Sequence, residues 1–220
     1  MDTNNYYFLK DNRLVYFANN IKKNLEDLDK IKVIQFGDTF NDNIDEILPD
    51  HIETIILGRN FNNSINKLPK NLKELFLGLN FNQRIDNLPE RLEKLTIKDD
   101  FNHPIDNLPV SLKTLNIEGN FNQPIDLLPC SLESLTIKYH FNYPLNNLPP
   151  NLKKLEIGKE FEYPLDNLPD SIEELDIIFY QKEIKKLPKF LRELSIDAEY
   201  EHPLPIGDYH VNYVFIDFMW

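Results

Sequence analysis

The chain has 220 residues, with 36 acidic against 24 basic side chains and a formal charge of −12. That balance argues against nucleic acid or an anionic membrane surface as partner, because both are held by clustered lysine and arginine. A single cysteine, Cys130, excludes an internal disulfide, and no apolar run approaches the roughly 18 residues of a spanning helix. The start, MDTNNYYFLKDN, has neither the basic nor the apolar region of a secretory leader. An intracellular, reducing location is the expectation.

Taken in chain order, residues 6–17, YYFLKDNRLVYF, place two apolar-aromatic stretches around Lys10-Asp11-Asn12. This predicts a hairpin over the open N-terminal end of a core. Residues 19–30 set Ile21, Leu25 and Leu28 at helical spacing among good helix formers. They predict either a short capping helix or a helix offered to a partner. Residues 1–30 together form an N-terminal cap.

From residue 31 the chain repeats itself. Anchor aromatics recur at Phe40, Phe61, Phe81, Phe101, Phe121, Phe141, Phe161, Tyr180 and Tyr200. A leucine run, LxxLx(I/L), precedes each of them, beginning with Ile31, Ile34 and Phe36 and ending with Val211, Val214 and Ile216. Alternation within each run, as in Leu115-Asn116-Ile117, is the period of a strand with one buried face. A twenty-residue repeat containing two prolines, such as Pro124 and Pro129, leaves no room for a return helix. The predicted fold is therefore a β-rich solenoid of about nine to ten 20-residue repeats, with short parallel strands and extended or turn-like return legs. Such legs pack nearly as closely as strands, so the array should curve only shallowly. One repeat buries about six apolar side chains, at roughly 1.5–3 kcal/mol each. Ordering its backbone costs more, at about 1–2 kcal/mol per residue, so the repeats fold only when stacked.

Three polar rows accompany the apolar ones. Asn62, Asn82, Asn102, Asn122 and Asn142 follow the anchors and predict a stacked amide ladder that satisfies turn backbone. Asp45, Asp86, Asp106, Asp126 and Asp166 invite a calcium reading, but Asn66, Asn146 and Lys185 share their place. The common property is Asx-turn bonding to nearby N–H groups. Lys32, Glu53, Lys73, Glu93, Lys113, Glu133, Lys153, Glu173 and Arg192 alternate in sign and predict stacking ion pairs. No catalytic residue set, metal spacing or phosphate loop is present, and no cofactor is expected.

The combined pattern (L)xxLx(I)xxxFNxPIxxLPxS, seen in FNHPI, FNQPI and LPVSL, resembles the FNIP repeat over about residues 31–216. That family is a leucine-rich-repeat relative, abundant in social amoebae and amoeba-infecting giant viruses. The resemblance implies a role in protein interaction. Because members often carry an F-box, it also implies substrate selection for ubiquitin ligases, as adaptor or decoy.

Residues 31–200 hold the repeats, and 201–220 hold a degenerate last repeat and a C-terminal cap strand, VNYVFIDFMW. Phe215, Phe218, Met219 and Trp220 form either a lid over the last layer or a self-association edge. A monomer is favoured, with a dimer through the C-terminal strand as the alternative. What varies between repeats is the outer strand face. It is apolar near the N-terminus at Val33, Ile56, Phe76 and Leu79, and acidic near the C-terminus at Glu156, Glu174, Asp176 and Glu193. This face is the expected binding site for a protein partner, of the host if the chain is viral and then in host cytoplasm. The alternative is surface drift without a partner.

Overall fold

Each leucine run becomes one short strand in the computed structural model, which describes residues 6–9, 13–16 and 31–215. Strands β1 (Tyr6–Leu9) and β2 (Arg13–Tyr16) pair antiparallel, the hairpin read from residues 6–17. The hairpin extends the sheet at its N-terminal end, where β2 pairs in parallel with β3 (Val33–Phe36). The helix expected within 19–30 lies outside the described residues.

Parallel neighbours then follow in chain order. They are β4 (Thr54–Ile56), β5 (Glu74–Phe76), β6 (Lys94–Ile97), β7 (Thr114–Ile117), β8 (Ser134–Ile137), β9 (Lys154–Ile157), β10 (Glu174–Asp176), β11 (Glu193–Asp197) and β12 (His210–Val214). Together they make a single 12-stranded sheet. The return legs are turns and extended backbone, as prolines within so short a repeat require. Among the described residues no helix is long and apolar enough to cross a membrane.

Register follows the repeat. Leu75, Leu95, Leu115, Leu135 and Leu155 stand opposite one another, each fully buried. Behind the strands the anchor rings stack from Phe40 to Phe161 at centroid spacings of 6.1–6.3 Å, their planes within 13° of parallel. Neighbouring strands lie only about 4.7–4.9 Å apart, so each repeat widens from sheet to rings by roughly 1.4 Å. That splay bends the array gently, with the sheet on the inner side of the curve.

The register breaks the sequence reading at one end. Val211 stands opposite Leu194 and Tyr213 opposite Ile196, so the last run is Val211 and Tyr213, not Val211, Val214 and Ile216. A last return leg three residues shorter than the twenty-residue period shifts the chain relative to the leucine pattern, since Val211 follows its partner Leu194 by 17 residues. The lid of Phe218, Met219 and Trp220 lies outside the described residues.

The polar rows hold repeat to repeat. Each ladder asparagine accepts, through its side-chain oxygen, the backbone N–H of the equivalent residue one repeat on. The series runs from Asn62 N–H to Asn41 (2.8 Å) to Glu162 N–H to Asn142 (3.0 Å). The alternating charges stack as expected, with Glu53 between Lys32 (3.0 Å) and Lys73 (2.7 Å), and Glu93–Lys113, Glu133–Lys153 and Glu173–Arg192 following. Hydrogen bonding from Lys73, and then from Lys32, holds the Glu53 carboxyl below its usual range.

The aspartate row does something other than form Asx turns. Asp45 accepts the backbone N–H of Lys67 (2.9 Å) and Asp166 that of Lys185 (3.2 Å). Asp86 and Asp126 accept the side-chain amides of Asn107 (3.5 Å) and Asn147 (3.1 Å). Each of these four donors belongs to the following repeat, so these aspartates tie neighbours together, while Asp86 also pairs with Arg84 of its own repeat (2.6 Å). Asn replaces Asp at 66 for the same reason, since its oxygen accepts the Asn87 amide (3.3 Å).

Candidate functional site

Inward leucines force their strand neighbours outward, and the outer face therefore consists of parallel rows one residue wide. One row reads Gln35, Ile56, Phe76, Thr96, Asn116, Thr136, Glu156 and Asp176. A second reads Val33, Thr54, Glu74, Lys94, Thr114, Ser134, Lys154, Glu174 and Glu193.

This register sorts the sequence-predicted residues. Ile56 and Phe76 are direct neighbours, both half-buried. Leu79 lies in the turn after β5 rather than on the strand, yet it lines the same groove. Val33 stands in the other row beside Thr54, away from that groove. The groove has a volume of about 300 Å³, with Ile56, Phe76 and Leu79 on its floor and Asp38, Arg59 and Lys98 at its rim.

Two glycines, missed from the sequence, make this depression. A Cβ on Gly58 would stand 2.1 Å from the carbonyl oxygen of Gly37, and one on Gly78 would stand 1.9 Å from that of Gly58. Successive turns therefore approach to backbone contact, and the groove is lined there by glycines without side chains. Lys94 lays its ammonium over the Phe76 ring, 5.3 Å from the centroid, which adds a cation–π contact beside the apolar floor.

The acidic end is less acidic than its residues suggest. Glu156 pairs with Lys138 (2.9 Å) and accepts the Thr136 hydroxyl (3.3 Å), and Glu174 pairs with Lys154 (2.8 Å). Glu193 stands beside Glu174 on the next strand, exposed. Asp176 neighbours Glu156, and its carboxyl is raised above the ordinary range, first by burial and then by the Glu156 charge. The backbone N–H of Ile178 and the cations Lys138 and Lys154 oppose that rise. A carboxyl with a raised folded-state pKa weakens the fold at neutral pH, and the penalty vanishes once it is protonated in both states. Asp176→Asn should thus melt higher than the parent at pH 7. In thermal scans the difference should close below the unfolded aspartate pKa of about 3.9. Equal melting at pH 7 would refute the burial reading.

The two ends are four strands apart, roughly 19 Å at strand spacing. A single extended segment of a partner could span both.

A larger open trough, about 980 Å³, follows the opposite edge of the strands between Lys113 and Arg192. Its walls are the alternating Lys153, Glu133, Glu173 and Arg192, whose charges are satisfied by one another. Its apolar lining is Pro150, Pro169 and Phe190, the last largely exposed, and it holds no convergent acid, base or nucleophile. The smaller groove on the sheet face is the better candidate because Ile56, Phe76 and Leu79 lie together there on the face that varies between repeats.

Other polar contacts were not legible in the sequence. Ser111, Ser131 and Ser171 donate to the carbonyls of Leu92, Leu112 and Leu152 at 2.7–2.8 Å. They close the start of each strand onto the repeat before it. Tyr180 donates to the Tyr163 carbonyl (3.2 Å), and Tyr200 donates to that of Lys182 (2.8 Å) while accepting the Ile184 N–H (3.1 Å). Burial pushes the Tyr180 phenol up to about 12. These hydroxyls replace the missing asparagine ladder, and the only sequence signal for them is the change from Phe to Tyr where FN is lost. Cys130 is exposed. Among the described residues no cluster of three or more His, Cys, Asp or Glu side chains could hold a metal.

Comparison with known proteins agrees with this architecture. The FNIP Repeat family model matches residues 40–80, 61–100, 81–119, 101–140 and 141–180. Among curated proteins no sequence matches the chain. Among solved structures the chain is similar to CroV588, a giant-virus protein described as a novel circular LRR structure, with a TM-score of 0.62 and 33% identity. The alignment covers 76% of this chain but 30% of that one. Repeat family and fold fit a protein-interaction scaffold. With five matches that together span residues 40–180 and the stacked Phe and Asn ladders that accompany the repeat, the chain belongs to the FNIP repeat family.

Proposed function

We propose that this chain is a non-enzymatic interaction module that holds a protein partner against the outer face of its sheet. The observation that carries the reading is the groove over Ile56, Phe76 and Leu79, where apolar side chains stand partly open to water between two glycines. Ile56, Phe76 and Leu79 differ from the other partly open apolar side chains in standing together on the sheet face. An apolar residue of the partner would seat on Phe76, and a flanking segment would run across the sheet toward Glu156 and Asp176. Buried aromatic contacts of this kind dominate binding energy, at about 2 kcal/mol or more each.

The test compares capture of partners from host cytosol by the parent chain and by an Ile56→Lys/Phe76→Glu double variant. Both residues face away from the core, so the variant should keep the parent's melting temperature while losing the partners that peptide identification finds with the parent. A variant that folds and captures the same proteins would place binding elsewhere. One that unfolds would mean these side chains support the core.

A further inference from the structure

The charges around the groove over Ile56, Phe76 and Leu79 narrow what it can hold. Arg59 stands at its turn side, exposed, one repeat before Leu79 in the equivalent turn position. Its backbone is engaged, the N–H donated to the Asp38 carboxylate (3.1 Å) and the carbonyl accepting from Asn80 (2.9 Å). Among the described residues its guanidinium has neither a hydrogen bond nor an ion pair. On the other side of the floor, where the strands begin, Lys94 lays its ammonium over the Phe76 ring. Glu74 is its neighbour on β5, but the two form no ion pair. Other cations of the sheet face are matched within the array, Lys98 by Glu118 (3.9 Å), Lys138 by Glu156 (2.9 Å) and Lys154 by Glu174 (2.8 Å).

A partner that covers the floor takes water from both unmatched cations. A segment with no charge of its own would leave them desolvated and unpaired, which opposes binding. The Arg59 fork fits a carboxylate through two parallel N–H···O bonds, stronger than bonds between neutral groups. A uniformly acidic partner is ruled out, because the chain's charge of −12 repels it. The matching charge is therefore local, since salt screens such forces beyond about 8 Å at physiological ionic strength.

We infer that the groove takes a peptide segment in which one aspartate or glutamate stands within two positions of an apolar anchor, the anchor on Ile56 and Phe76 and the carboxylate on Arg59. This rests on the groove being the partner site and names what the partner must offer there. In an extended segment, residues two apart point to the same side, roughly 6.6 Å from one another. Anchor and carboxylate can therefore face the sheet together. The rest of the segment is neutral or basic, in keeping with the acidic far end of the same face at Asp176 and Glu193.

Selection of random phage-displayed peptides on the full chain tests this, followed by fluorescence anisotropy with the enriched peptides made synthetically. Enriched sequences should place Asp or Glu within two positions of Leu, Ile, Met, Phe or Trp. Arg59→Glu should weaken their binding by about tenfold or more, the scale of a lost hydrogen bond to a charged group. Selection repeated on that variant should exchange the acid for Lys or Arg. The variant should melt with the parent, because the guanidinium makes no bond within the array. Peptides that lack the acid, or that bind Arg59→Glu undiminished, would overturn the inference. If Ile56→Lys/Phe76→Glu still abolished their binding, the groove would stand as the site and only the acidic neighbour would fall. Peptides that bind this double variant as well as the parent would overturn both readings, as would a selection that enriches none.

Discussion

Replacing Phe121 by alanine should cost about 3–5 kcal/mol, the scale of a buried aromatic truncation. The ring is completely buried and stacked between Phe101 at 6.2 Å and Phe141 at 6.3 Å. No side chain from a distant element can move in, because the only neighbours along the array are the repeats before and after. Coupling in such an array is between adjacent repeats, so the damage should concentrate around residues 101–141 and reach the ends last. Hydrogen exchange should show lost protection first at the backbone groups of β7 and β8. Urea denaturation should show a lower midpoint and a less cooperative transition. Asn122→Ala, one residue on, removes only an exposed acceptor for the Asn142 N–H and should cost nearer 1 kcal/mol. If the two variants lost the same stability, the ladder of rings would not be the main source of cohesion between repeats.

Gly78→Ala should be nearly as damaging, for the opposite reason. Its new methyl group would meet the Gly58 carbonyl oxygen at 1.9 Å, an obstacle made of backbone that cannot rotate aside. Overpacking costs about 1–3 kcal/mol, occasionally more, and a backbone obstacle places this case at the upper end. In a chain of this size that lowers the melting temperature by about 2–4 °C per kcal/mol. Lys98 occupies the position after Ile97, one repeat further along, and bears a long side chain there. Lys98→Ala is therefore the control and should melt within about 0.5 kcal/mol of the parent, the usual range for a surface substitution. A Gly78→Ala chain that melts with the parent would mean that the turns slide apart at little cost, and the groove beside Phe76 would then be adjustable rather than preformed.

What the sequence by itself determined is everything that repeats. The leucine period defines inward and outward positions, two prolines forbid a return helix, and the anchor aromatics recur at the same place, so the solenoid and its inner rows follow from one-dimensional spacing. The asparagine ladder and the alternating charges were legible for the same reason: residues twenty apart in sequence become neighbours once repeats stack. Direction was not legible. Asp126 carries an acceptor whichever way it points, and only the fold decides that the Asn147 amide of the next repeat, rather than its own turn, comes within reach. Closeness was not legible either, since Gly58 and Gly78 read as ordinary turn residues until neighbouring carbonyls are seen where their side chains would be. The C-terminal register was misread because local pattern carries no information about pairing once the return legs shorten. Strand β12 docks where its hydrogen bonds to β11 place it, with Val211 against Leu194. The outer-face residues read from the sequence fall in two rows and one turn. Tertiary structure decided which members meet, bringing Ile56, Phe76 and Leu79 to one groove and leaving Val33 outside it, because side chains on a sheet meet across strands by register and not by their order in the chain.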